Sequence, residues 1–174
     1  MIPKKGYTLI ELILVMFLLL FIALAVFSLT RVGSEAYLRL TTQQSLQSDL
    51  RIAASYLDVK LKQNDTAGAV MAASLSITDR DQDLQVEALK IVRTIEGLPY
   101  ELWIFQYDGY LYELLKEPDS IAALNMSSRI VRADDLELVF DADDALRIMI
   151  SRVDDQGIRY QRERTITLRA GGNR

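Results

Sequence analysis

Histidine and cysteine are both absent from this 174-residue sequence. Their absence removes the usual zinc ligands, the thiol nucleophiles and the commonest general base together. Serines remain, but no histidine can activate one, and no glycine-rich phosphate loop occurs. The expectation is a protein that is not an enzyme. Without cysteine there is no disulfide, so an exported domain must hold by packing alone. The net charge is −4 and no strongly basic face appears, so no specific nucleic-acid site is evident. Proline is rare, and none falls between Arg31 and Lys62, where Gly33 is the sole glycine. No internal repeat or low-complexity linker is visible.

What the chain has is a long apolar run near its start. Lys4-Lys5-Gly6-Tyr7-Thr8-Leu9-Ile10-Glu11 leads into Leu12–Thr30, which holds no charge at all. Tyr7 to Thr30, as a helix, spans about 36 Å, enough to cross a hydrocarbon core of about 30 Å. The lysines before it hold that end in the cytoplasm and send the C-terminal part outside, while Arg31 opposes this only weakly. A rival reading takes Leu12–Ile22 as the h-region of a signal peptide cut at Ala23-Leu24-Ala25. Against it, apolar residues continue to Leu29 and Glu11 interrupts the approach. Glu11 is the anomaly: a charge at the centre of a spanning helix costs roughly 2.5–3.5 kcal/mol. Near one end the penalty is smaller, but the carboxylate still asks for a partner.

Gly6, Tyr7 and Thr8-Leu9-Ile10-Glu11 before an apolar run resemble the N-terminus of the type IV pilin superfamily, which includes the pseudopilins. That pattern is a short basic leader ending in glycine, an aromatic residue that is usually Phe, then Thr-Leu-Ile-Glu; Tyr7 is a mild departure. The resemblance implies that a prepilin peptidase cuts after Gly6 and that the new amine of Tyr7 is N-methylated. Glycine offers such a peptidase an unhindered position, and the new amine has an ordinary pKa of about 7.7–8.0. Among packed helices, Glu11 of one subunit can then pair with the Tyr7 amine of its neighbour, recovering much of the cost of burying either charge. The four-residue offset sets an axial stagger of order 6 Å. The plainer alternative is that Glu11 reaches to the membrane interface.

Beyond the span, Leu46, Leu50, Ala53, Leu57 and Leu61 recur every three or four residues, one face of a helix, with Gln43, Gln47, Asp49, Arg51, Asp58 and Lys62 on other faces. Asn64-Asp65-Thr66-Ala67-Gly68 reads as a stop. The expected organisation is a leader over 1–6, a transmembrane helix over 7–30, its amphipathic continuation over 31–62 and a β-rich globular domain over 63–174. Pilins share that plan, a long N-terminal helix whose second half packs on a β-sheet; the proline common near the end of their span is here Ser28. A segment from about Arg31 onward should be soluble and monomeric.

Val70–Ser76 is small and apolar with no element assigned to it, and from Leu84 the pattern is strand-like. Leu84–Ile95, Tyr100–Tyr107, Tyr110–Leu115, Arg129–Arg132, Leu136–Phe140, Ala145–Val153 and Ile158–Leu168 are the expected strands, with Asp108-Gly109 a hairpin turn. Thr78–Asp83 reads as a polar turn, Gly97-Leu98-Pro99 as a break, and the residues to Asn125 as a loop or short helix. Short joints favour an antiparallel meander, so the fold class is α+β. The aromatic set Tyr100, Trp103, Phe105, Tyr107, Tyr110 and Tyr112 is expected to serve core and cross-strand packing.

No cofactor is implied. Asp79-Arg80-Asp81-Gln82-Asp83 begins like a calcium loop, but Leu84 stands where glycine is needed and Lys90 where glutamate is. Asp141, Asp143 and Asp144 form a second oxygen cluster, and solvated acidic turns are the preferred reading of both. The resemblance implies a filament subunit, a minor pilin or pseudopilin of a type IV pilus-like or type II secretion-like system. Its implied partners are prepilin peptidase, other pilin or pseudopilin subunits and the assembly platform of the inner (cytoplasmic) membrane. The C-terminal domain would lie outside, in an extracytoplasmic filament after assembly. The alternative is a single-pass membrane-anchored binding module that does not assemble.

Overall fold

A computed structural model describes residues 8–66, 68–80, 82–141 and 145–168. Helix α1 (Leu9–Gln63) is followed by eight strands: β1 (Val70–Asp79), β2 (Gln82–Ile95), β3 (Leu98–Tyr107), β4 (Tyr110–Lys116), β5 (Ser128–Arg132), β6 (Asp135–Phe140), β7 (Ala145–Val153) and β8 (Arg159–Thr167). The class is α+β, and every strand pairing is antiparallel. Two compact units divide the chain, residues 1–43 and 44–174.

In the second unit the helix has one buried face. Leu46, Leu50, Ala53, Ala54, Leu57 and Leu61 are buried, and burial of each leucine is worth about 1.5–3 kcal/mol. Lys60 and Lys62 in the last turn oppose the negative end of the helix dipole. Asn64 stops it: its side-chain Nδ2 donates to the Lys60 carbonyl at 2.7 Å, and its backbone N–H to Leu61 at 3.0 Å.

The strands form two meanders, five in the order β1-β2-β3-β4-β5 and three in the order β6-β7-β8. The chain passes between them at Ala133-Asp134, where Ala133 N–H donates to the Gly109 carbonyl (3.0 Å) and Asp134 N–H to that of Ser151 (2.9 Å). One core gathers the helix face from Leu50 onward, Leu89 and Ile91 of β2, Leu102 and Ile104 of β3, and Leu146, Ile148 and Ile150 of β7. The intervening residues of the larger sheet point the other way. Trp103, Phe105, Ala88 and Leu114 build a second core with Leu75 and Ile77, closed by Ala122 from the segment that follows β4. That strap is pinned by Thr78 N–H donating to the Ala122 carbonyl at 2.9 Å and by Lys116 Nζ donating to the Ser120 carbonyl at 3.0 Å.

Two turns are tighter than their composition suggests. Leu98 and Pro99 do not break the sheet but sit in β3 opposite Ile95 and Thr94. Glu96 and Gly97 both adopt positive φ (51° and 86°), a two-residue turn whose twist matches the strands. Pro99 is tolerated at the strand's start, before β4 begins to pair with β3 at Glu101, because its missing N–H has no ladder bond to make there. Likewise Thr78–Asp83 is no six-residue turn: Thr78 pairs with Asp83, its hydroxyl donating to Asp83 Oδ1 at 2.7 Å. Phe105 stacks on Tyr112 with centroids 5.7 Å apart, and Tyr112 meets Tyr110 edge-on at 6.5 Å. Tyr100 stands apart, on the face that carries Leu102 and Ile104.

Candidate membrane and assembly segment

Gly6 and Tyr7 lie outside the described residues. The described chain starts at Thr8, and α1 begins at Leu9. The Thr8 carbonyl accepts the first bonds of the helix, from Glu11 N–H (3.0 Å) and Leu12 N–H (3.2 Å). Thr8 therefore occupies the capping position and Glu11 the third helical one. This is the Thr-x-x-Glu spacing of a capping box, but among the described residues neither side chain makes a capping hydrogen bond. A carboxylate in the first turn also meets the positive end of the helix dipole, worth typically 0.3–1 kcal/mol. Reading Glu11 through its membrane cost alone misses this local use, although the Thr8–Glu11 spacing signals it.

From Leu9 to Leu29 every large apolar side chain is exposed, from 47% at Val15 to 80% at Leu9. Burying each is worth about 1.5–3 kcal/mol, so leaving the whole run in water costs tens of kcal/mol. That exceeds the usual 5–15 kcal/mol stability of a whole domain. The segment is thus built for an apolar environment, and its length and composition suffice to cross a membrane. Near the end of the run, Thr30 Oγ1 turns back to the Val26 carbonyl at 2.9 Å, and Arg31 pairs with Glu35 at 3.3 Å. That exposed pair adds little stability.

In the second unit, one ion pair joins α1 to the larger sheet and one charge cluster links strands β2, β3 and β4 of that sheet. Lys60 of α1 lies 2.9 Å from Glu113 of β4. Burial still raises the Glu113 carboxyl above its ordinary value; desolvation outweighs the ammonium beside it. Glu101 of β3 receives Lys90 Nζ at 2.7 Å, Lys116 Nζ at 3.3 Å and Trp103 Nε1 at 3.0 Å. Burial pushes that carboxyl up, but the three hydrogen bonds and the Lys90 charge together carry it below its ordinary value. Both sites are structural in geometry, with each charge committed to its neighbours.

The acidic loops do not converge. Asp79 accepts the Tyr107 hydroxyl at 3.1 Å, Asp83 is bonded to Thr78, and Asp141 pairs with Arg147 at 3.1 Å. Asp81, Asp143 and Asp144 fall outside the described residues. Among the described residues no group of three acidic side chains is placed to hold a metal ion.

Comparison with known proteins adds two matches. Residues 1–27 match the prokaryotic N-terminal methylation motif. Residues 48–153, more than half of the chain, match a domain of unknown function, DUF4860. No curated protein and no solved structure matched. The methylation motif covers the leader and most of the apolar run, and the second family covers the end of α1 through β7. The chain therefore belongs to the DUF4860 family and is, by its prepilin-type N-terminus and long apolar helix, a type IV pilin-like protein.

Proposed function

We propose that this chain is a structural subunit, a minor pilin or pseudopilin, of a type IV pilus-like or type II secretion-like filament, matured by prepilin peptidase cleavage after Gly6. The observation that carries the reading is the uncovered apolar surface of α1 from Leu9 to Leu29 behind a prepilin motif. In the membrane that surface is covered by lipid, and in a filament by the same surface of neighbouring helices. About 25 cal/mol per Å² of buried apolar area makes both environments tolerable. The cytoplasmic membrane holds the subunit until assembly, with the N-terminus inside and residues 44–174 outside. Glu11 then pairs with the Tyr7 amine of an adjacent subunit. In this role the chain is not an enzyme.

A second reading has one observation in its favour. Glu11 in the first helical turn already has a local use, so a plain membrane-anchored binding module could also retain it. Gly6 separates the two, because an anchor needs no cleavage. Intact mass and N-terminal sequencing of the protein from native membranes test this. The expected mature chain starts at N-methylated Tyr7, and Gly6→Val blocks its appearance. A protein that keeps Met1 is an uncleaved anchor, and one that starts at Val26 is an ordinary secreted protein; either result overturns the proposal.

A further inference from the structure

Strand β8 pairs with β7 on one side and, among the described residues, with no strand on the other. Its outer edge therefore offers unpaired backbone groups. Along the seam between β8 and α1 lie two cavities. One, of about 230 Å³, is lined by Gln47, Leu50, Arg51, Tyr160, Gln161 and Arg162. The other, of about 520 Å³, lies between Asp58, Leu61, Lys62 and Asp65 and the stretch from Arg164 to Leu168, so two carboxylates line it with Arg164. Arg162 and Arg164 stand opposite Ile150 and Ile148, both buried in the core, so two guanidinium groups occupy the core-facing side of the strand.

Charge sets this seam apart. Arg147, Arg152 and Arg159 each have a carboxylate within reach, and Lys62 has Asp58 at 2.8 Å. Arg51, Arg162 and Arg164 make no ion pair among the described residues. A guanidinium is matched best by a carboxylate, and this chain has carboxylates to spare. Residues 1–43 carry four cations and two carboxylates, so the −4 of the whole chain leaves −6 for residues 44–174. Glu96, Asp108 and Asp155 are exposed carboxylates at hairpin turns that make no hydrogen bond or ion pair among the described residues, and of these Asp155 lies in the turn that leads into β8. In the β7–β8 turn, Asp154 is occupied, accepting from Gln156 and Ile158 N–H groups at 2.9 and 2.8 Å, whereas Asp155 is exposed and makes no bond among the described residues.

We propose that the α1–β8 groove is a contact between subunits that receives the Asp155 turn of a second copy of this chain, its carboxylate held by Arg51 and Arg162. The turn sits at the start of β8 and the groove beside its middle, so two copies set side by side and offset along the strand by on the order of 20 Å bring them together. A contact between two different patches does not close on itself but repeats into an open helical array. The inference rests on the filament-subunit reading and names one of its interfaces.

Because the chain lacks cysteine, disulfide trapping in the full-length protein reads this contact without background. Gln156→Cys in one copy and Gln161→Cys in another, tagged differently and co-expressed in native membranes, flank the contact while keeping Asp155 and Arg162. The expected result is a mixed disulfide formed about tenfold faster than between Gln156→Cys and Ser74→Cys on β1. Arg162→Glu abolishes the gain, and Asp155→Lys in the partner copy restores it. Arg162→Gln, which removes the charge gently, gives the same loss with an unchanged melting temperature. Trapping no faster than the control overturns the proposal, as does trapping indifferent to Arg162→Glu or seen only when another protein is co-expressed. Normal filament incorporation without trapping overturns the groove alone and leaves the filament reading intact. Trapping without filaments does the reverse.

Discussion

Arg152 of β7 donates from Nη1 to Oδ2 of Asp49 on α1 across 3.0 Å, joining residues 103 positions apart. Its Nε lies 3.3 Å from Asp134, whose Oδ2 also accepts the Val153 N–H at 2.7 Å. One guanidinium thus ties the helix, the smaller sheet and the joint between the sheets. Hydrogen bonds to charged groups contribute about 1.5–3 kcal/mol. Arg152→Ala and Asp49→Ala should each destabilise a segment from Arg31 onward, expected to be soluble, by that amount. Together they should cost less than their sum, read from thermal melting; full additivity would mean the pair does not interact.

The helix face gives a second test with an internal control. Leu57 is 1% exposed and Ile52 is 49% exposed, five residues apart on the same helix. Leu57→Asp buries a charge without a partner and should cost several kcal/mol. Ile52→Asp should change the melting temperature little in the same segment. Equal effects would mean that the Leu46–Leu61 stripe does not face the sheets.

Acid should act on Glu101 and Glu113 with opposite sign. The folded Glu101 carboxyl lies below its ordinary value near 4.5. Its contribution to stability is present above that value and is lost as pH falls through the lower folded one. Glu113 is raised by burial, so its contribution is greatest below the ordinary value and is lost as pH rises through the raised one. Melting temperatures of the same segment, followed from neutral pH down to about 3, should therefore fall less steeply for Glu101→Gln than for wild type. Glu113→Gln should melt no lower than wild type at neutral pH and gain less on acidification. An acid limb unchanged by Glu101→Gln would remove this carboxyl from the account.

Periodicity made much of this fold legible. The spacing of Leu46, Leu50, Ala53, Leu57 and Leu61 matches the buried helix face, which adds only Ala54, and Ala145–Val153 is bounded as β7 is. Asp108-Gly109 turns with both residues at positive φ, as the pair of residue types demands. The break between the sheets was not legible, because Ala133-Asp134 looks like any other short joint. Its identity depends on bonds to Gly109 and Ser151, partners distant in sequence. The second core was hidden for a similar reason: Trp103 and Phe105 alternate with Leu102 and Ile104, and two-sided burial erases the polar half of the strand pattern. The candidate assembly residues are a pattern of types and spacing alone, because the partner proposed for Glu11 belongs to another chain.

Glu11 decides between subunit and anchor. If it pairs with the Tyr7 amine of a neighbour, Glu11→Ala and Glu11→Gln should leave cleavage after Gly6 largely intact. Both proteins should remain in the membrane, since a charge there is costly, with at most about 1 kcal/mol of helix-end stabilisation lost. What should fail is incorporation: less protein in sheared filaments and weaker crosslinking to other pilin-like subunits. The first-turn role makes a different forecast. Thr8→Ala, which removes the hydroxyl at the capping position, should mimic Glu11→Ala if supporting the helix start is all that Glu11 does. If pairing is its role, Thr8→Ala should assemble nearly normally. Glu11→Asp, one methylene shorter, should be partly defective in assembly while keeping its charge at the helix start. A Glu11→Ala protein that is cleaved, present in filaments at wild-type level and functional would sink the pairing and leave the carboxylate a helix-end residue of a simple anchor.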